Sequence, residues 1–204
     1  MDKTPYHHGD LKNALIEAGI AILAEEGANG LSLRKVASRA GVSHTAPYAH
    51  FADKQALIAA ISAEGYRRLY ERMKTVQTQY PDDPLAQLVE TAWLYLDFAI
   101  EDTALFKLTF SGAVEKEQEY PDLVTLTQQS FAIVRAIAEA CQTAGILAPG
   151  SSEVAAIGIW SQVHGLASLM LEGQISHTLL EQMPMKALLI ACLQPIVCVP
   201  ILPA

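Results

Sequence analysis

Residues 31–54, LSLRKVASRAGVSHTAPYAHFADK, restrict the fold more than any other part of the chain. Ser32 offers a hydroxyl to an amide that has no partner at the start of a helix. Leu33, Val36, Ala37 and Ala40 then fall at i, i+3, i+4 and i+7, which gives that helix one apolar face. Gly41 follows at once, where a helix end favours a left-handed residue. Val42 is expected to bury itself in the turn, and Ser43 to cap a second, very short helix over 44–50. Two short helices joined by a tight turn make a helix-turn-helix, whose second helix enters the major groove of DNA.

The remaining sequence continues in the same helical period. A helix is expected from Gly9 or Asp10 to Glu26, with Leu15, Ile16, Gly19, Ile22 and Leu23 as its buried stripe and Gly27 at its end. Asp53 caps a long helix that carries Leu57, Ile58, Ile61, Leu69, Met73 and Val76 before Pro81 stops it. Asp83-Pro84 starts a helix to about Ile100. A short helix is expected over 103–111, an acidic loop over 112–121, and a helix from Asp122 to Ala144 closed by Gly145. Ser151 or Ser152 caps a further helix to Glu172, and a last one lies within 177–194, where Pro184 marks either a kink or a start. No segment alternates like a strand, and there are no repeats. The expected fold is all-α, with about nine helices. Residues 1–52 are expected to form a DNA-binding domain and residues 53–204 a helical body, with 54–79 as connector.

Charge distribution agrees with that division. The chain has 204 residues, a net charge of −8 and a pI near 5.2, which at first argues against a nucleic-acid partner. Residues 1–75, however, hold ten Lys/Arg against eight Asp/Glu, while residues 76–204 hold four against fourteen. The positive half is the half with the helix-turn-helix, and the acidic remainder repels phosphate elsewhere. An apolar content of 51% suffices for a core. The first residues, MDKTPYHHGD, have no apolar core of a signal peptide. No apolar run is expected to span a bilayer, the C-terminal ALLIACLQPIVCVPILPA being broken by prolines that end with Pro203. Cys141, Cys192 and Cys198 are scattered in apolar company and are expected to be buried thiols in a reducing cytoplasm. No metal cluster, cofactor motif or catalytic constellation is visible, which disfavours an enzyme.

Within 44–50, His44 and Thr45 can exchange hydrogen bonds with base edges, and the methyl groups of Thr45 or Ala46 suit a thymine methyl. Arg34, on the exposed side of the preceding helix, suits a phosphate. Lys54 sits in a first helical turn, where its ammonium and the backbone N–H groups can clamp another. Phe51 is expected to wedge between helices.

The string resembles the DNA-binding region of the tetracycline-repressor (TetR) family of bacterial regulators. The pattern survives in Gly27, Leu31, Ser32, Val36, Ala37, Ala40, Gly41, Val42, Ser43, Tyr48, His50, Phe51, Lys54 and Leu57. Pro47 departs from the bulky aliphatic residue usual there. The resemblance implies phosphate contacts by Tyr48 and His50. It also implies a homodimer on a double-stranded pseudo-palindromic operator, most often a repressor, released by a small-molecule effector held in the helical body. Trp160, His164 and Gly165 resemble a tryptophan–histidine–glycine signature in the ligand domain of one subgroup.

Candidate ligand residues in the body are Trp93, Phe98, Phe106, Phe110, Phe131, Trp160 and His164. Aromatic residues at helical spacing also serve simply as core, and His164 alternatively bonds a backbone carbonyl. With few polar groups beside them, mainly Tyr95, Gln162 and His164, the implied ligand is mostly apolar. Gly158, Ser161, Gly165 and Ser168 make a small-residue face that admits a close neighbour. With Leu188 and Leu189 it is the candidate dimer interface, close packing within one chain being the alternative. A constitutive regulator or protein-interaction module without a small ligand is the competing function.

Overall fold

A computed structural model describes residues 8–201. Pro203 and most of the polar N-terminal stretch lie outside the described residues. The described residues form helices and turns, with no strand among them. The order is α1 (His8–Glu26), α2 (Leu33–Arg39), a 3-10 turn (Ala46–Ala49), α3 (Lys54–Gln79), α4 (Pro84–Glu101), α5 (Thr103–Thr109), α6 (Pro121–Thr143), α7 (Ser152–Leu171), α8 (His177–Gln182) and α9 (Met185–Leu193).

Most boundaries follow local chemistry. Ser32 accepts a hydrogen bond from the Lys35 amide at 3.2 Å, and Asp53 accepts one from Ala56 at 2.9 Å. Ser151 caps α7 by accepting from Val154 at 3.4 Å. Gly41 sits at a φ of 69°, which allows the sharp exit from α2 that a side chain would strain. Pro184 settles as a break: α8 ends before it, and it stands at the N-cap of α9.

The helices form two compact units. One runs up to Arg67 and includes Asp102–Leu126. Its core holds Leu15, Ile22, Leu31, Val36, Phe51, Leu57, Ile61 and Leu105, each at most 2% exposed. Here α1 packs on α2 and on α5. At Gly65 a Cβ would stand 2.1 Å from Thr109 Oγ1, so only glycine lets α3 and α5 approach this closely.

The other unit comprises Arg68–Glu101 and the chain from Thr127 onward. There α4, α7 and α9 pack on one another around Leu88, Leu96, Phe98, Ile137, Leu189 and Leu193. Against the bilayer expectation stands α7: it has 20 residues, and its most apolar 18-residue stretch, with a mean hydropathy of 1.4, is long and apolar enough to cross a membrane by length and composition alone, a test that core helices of soluble proteins also pass. Only 28% of its most apolar stretch is buried in the protein.

Candidate nucleic-acid interface and body cluster

The second helix of the helix-turn-helix is shorter than the sequence suggests. His44 and Thr45 form a turn, and only Ala46–Ala49 wind, as a 3-10 helix. Pro47 is the cause. It has no N–H to donate to the Ser43 carbonyl four residues back, so the Ala46 amide takes that carbonyl instead, at 3.0 Å. Tyr48 bonds to Thr45 O at 3.2 Å in the same tightened register. Ser43 does not cap with its side chain; its hydroxyl lies 3.0 Å from that of Thr45. Val42 is half-buried rather than fully enclosed. Pro47 itself is buried, which spends the bulk of the ring on the core.

This arrangement leaves Ser43, His44, Thr45 and Tyr48 exposed, with Tyr48 at 61%, while Ala46 is half-buried. His44 Nε2 lies 3.1 Å from the Ser38 hydroxyl, which ties the start of the turn to α2. Phe51 is 2% exposed and acts as the expected wedge. His50 is half-buried, and its Nε2 is enclosed without a hydrogen-bond partner. Its neighbour Phe51 draws the chain inward at this point.

Charge pairing separates the basic residues. Lys35 is tied to Glu26, and Arg39 grips Glu25 with two hydrogen bonds, which hold the Glu25 carboxyl below its ordinary range. Arg34 is exposed and makes no ion pair with the described residues. Lys54 is exposed at the first turn of α3, and its ammonium has only the Ala28 carbonyl, at 3.5 Å. Arg34 and Lys54 are thus exposed cations without an ion pair among the described residues.

The candidate ligand residues fall in both compact units. Phe106 and Phe110 belong to the first unit, where Phe110 packs edge-on against Tyr66 at 5.2 Å between centroids. Phe98 is fully buried, with the Arg72 guanidinium 5.9 Å from its ring centre. Trp93 carries the Lys186 ammonium at 5.8 Å, itself paired with Glu90 at 2.7 Å. Phe131 is half-buried on α6. Trp160 and His164 do meet, through Tyr95, a residue that sequence periodicity marked only as a polar companion. Trp160 Nε1 donates to the Tyr95 hydroxyl at 3.2 Å, and that hydroxyl lies 2.8 Å from His164 Nδ1. Indole can only donate, so the Tyr95 hydroxyl accepts from Trp160, and the His164 tautomer sets which way the second bond runs. Burial favours the neutral imidazole, lowering the His164 pKa below its ordinary 6.5. His164 thus bonds the Tyr95 side chain through Nδ1. Tyr95 and Trp160 line a cavity of about 30 Å³ with Val134 and Ile159.

On α7, Val154, Ile157 and Leu169 are 67%, 48% and 51% exposed. They share one face with Gly158, Ser161, Gly165 and Ser168. A Cβ built on Gly158 or Gly165 would meet nothing within 4 Å, which removes close packing within the chain as their reason. Leu188 and Leu189 are corrected as interface residues: they are 9% and 0% exposed, because that side of α9 faces its own unit. The cysteines also differ from expectation. Cys141 is buried, and burial pushes its thiol up to about 11. Cys192 is half-buried, and Cys198 is exposed in the segment after α9.

Residues 15–61 match the model of the bacterial regulatory proteins of the tetR family, and residues 88–191 that of the tetracyclin repressor-like C-terminal domain. The chain is similar to the uncharacterized HTH-type transcriptional regulator YobS of Bacillus subtilis (strain 168), at 26% identity over 54% of this chain and 57% of that one. It is similar to the HTH-type transcriptional regulator AcrR of Shigella flexneri, at 28% identity over 43% of this chain and 41% of that one. The match thus spans about half the length of these curated relatives. Among solved structures, a protein with unknown function from Rhodococcus sp. RHA1 is similar at a TM-score of 0.80 and 29% identity, covering 95% of this chain and 97% of that one. A tetR-family regulatory protein from Rhodococcus RHA1 shares the fold at a TM-score of 0.69 and 20% identity, covering 92% and 97%.

Proposed function

Because the chain belongs to the TetR family of bacterial transcription regulators, we propose that it is a cytoplasmic repressor that binds a pseudo-palindromic operator as a homodimer and is released by a small, mostly apolar ligand. Family members are DNA-binding transcription regulators and not enzymes. Residues 1–52 act as the DNA-binding domain and 53–204 as the ligand-binding and dimerisation domain, with α3 as connector. The observation that carries the DNA reading is the exposed edge of the helix-turn-helix. His44, Thr45 and Tyr48 are open there, and Arg34 and Lys54 hold charge that no carboxylate among the described residues neutralises.

The apolar, exposed face of α7 supports the homodimer. Water in contact with Val154, Ile157 and Leu169 is costly, and Gly158 and Gly165 would let a second copy's backbone come close. An obligate interface of this kind buries on the order of 2,000 Å². Within the body, the Tyr95–His164–Trp160 cluster supplies the polar anchor of the ligand site, and membership of the tryptophan–histidine–glycine subgroup is part of the same proposal. The adjoining cavity of about 30 Å³ has room for about one water. A ligand there must open the body, which supplies the conformational change that release requires. The small cavity equally favours a second reading, a constitutive regulator or one governed by a protein partner.

Fluorescence anisotropy with duplexes taken from beside the chain's own gene tests the main proposal. The expected result is saturation at two chains per half-site pair and a steep fall in affinity with salt. Binding no tighter than to a random duplex overturns it. Native mass spectrometry separates the regulatory readings, because a carried small molecule supports the ligand-responsive one. For any such molecule, linkage requires operator DNA to weaken its binding by the same factor that it weakens the operator's.

A further inference from the structure

The unit with the helix-turn-helix contains a groove of about 510 Å³, within the range of small-molecule sites. It shares no residue with the cavity beside Trp160. Its floor is a run of small side chains on α3, Ala56, Ala59, Ala60 and Ala63, and Ile16 and Leu126 add apolar wall. Larger residues at those four positions would fill the space. They stand beside Leu57, Ile58 and Ile61, which do fill the core.

The charges around the groove come in pairs. Lys12 lies 3.7 Å from Asp122, Arg67 meets Glu64 at 2.7 Å, and Glu119 pairs with Lys116 at 3.2 Å. A charged guest would lose its water shell without gaining an unneutralised partner, whereas a neutral one meets mostly alkyl surface. Among the described residues, the buried side-chain polar atom without a partner at this groove is Nε2 of His50. His50 and Phe51, which also borders the groove, are the residues that close the recognition turn: both amides bond to Pro47 O at 2.9 Å.

We propose that this groove binds a neutral, mostly apolar small molecule with one hydrogen-bonding group, and that the recognition turn senses its presence through His50 and Phe51. The binding half needs no DNA, and the sensing half rests on the regulator reading above. The probe is 1-naphthol, with 1-naphthoate and 1-naphthylmethylammonium as charged counterparts of the same ring. In the full chain labelled at alanine methyls, naphthol is expected to shift the Ala59, Ala60 and Ala63 signals saturably. It should also bind more tightly than either charged counterpart by about tenfold or more. Both tryptophans lie in the other unit, so their emission should stay unchanged at saturation.

Ala60→Phe should abolish the shifts, while Val134→Phe, beside the body cavity, should leave them intact. Shifts confined to residues around Trp160, no saturable shift, or equal binding of the charged rings overturns the site, and the wild-type titration decides this even if Ala60→Phe fails to fold. With naphthol saturating, operator affinity should change by about fivefold or more. An unchanged affinity overturns the sensing half. A chain that binds no duplex in the absence of naphthol refutes the regulator reading instead, and leaves the methyl titration to judge the groove.

Discussion

The helix-turn-helix unit and the unit built on α4, α7 and α9 are made of similar amphipathic helices, yet they differ in what they leave open. The first leaves polar groups at a short turn, with two cations on the flanking helices that make no ion pair among the described residues, and a groove of about 510 Å³ over an alanine floor. The second has a cavity of about 30 Å³ beside Tyr95 and Trp160 and leaves an apolar helix face exposed. A DNA reader needs hydrogen-bonding groups and charge at fixed positions, and short-range capping and turn chemistry suffice to hold them. A dimerising body needs a contiguous apolar face, which depends on which helix is left uncovered. The comparison teaches that the two units announce their roles through opposite signals, an exposed polar edge in one and an exposed apolar one in the other.

The harshest test of that contrast removes the wedge under the turn. Phe51→Ala should cost about 3–5 kcal/mol and eliminate specific DNA binding. Trp93 and Trp160 both report the other unit, so tryptophan fluorescence in a urea melt should shift less than the loss seen by circular dichroism. Coincident transitions would show that the two units unfold as one body.

Next in size is Gly165→Leu. Nothing within the chain opposes the new side chain, so the protomer should fold and the dimer should not form. Light scattering at micromolar concentration should give a monomer mass. A variant that stays dimeric would move the interface away from this face of α7.

Smaller effects are expected at the DNA edge. Lys54→Ala and Arg34→Ala should each weaken binding to all duplexes and lower the salt slope by about one unit per lost phosphate contact. Thr45→Ala should alter preference among operator variants by about 1–3 kcal/mol while leaving random duplex unaffected. An unchanged slope would take Lys54 or Arg34 off the phosphates, and a uniform loss would place Thr45 on them.

The smallest effect belongs to His164. Burial lowers its folded pKa below 6.5, so the unfolded chain takes up that proton first. Its contribution to stability is intact above about pH 6.5 and fades as pH falls toward the lower, folded value. Wild type should therefore lose more melting temperature between neutral and mildly acidic pH than His164→Gln does. Equal losses would mean that the Tyr95–His164 bond does not discriminate between the protonation states.

Much of this molecule was legible along the chain. Caps, glycine exits and apolar spacing act over a few residues, so Ser32, Gly41, Asp53, Ser151 and Gly145 mark helix limits where the fold has them. The same reading marks Thr45, Arg34 and Lys54 as exposed positions, while Tyr48 and the family were legible through the resemblance carried by residues 27–57. The sequence also flagged Pro47, but whether it tilts, shortens or tightens the recognition helix depends on how its ring is buried.

Tertiary packing decided the rest. It buried the Pro47 ring, enclosed His50 Nε2, divided the body's aromatic residues between two units, and turned Leu188 and Leu189 into the core of their own unit. It also joined Tyr95, His164 and Trp160 across long sequence separations and gathered α1, α3 and the start of α6 around a groove. Periodicity says that a helix has an apolar face. Which neighbour covers that face, and which is left to meet DNA, a ligand or a second copy, is settled only when every helix competes for the same buried space.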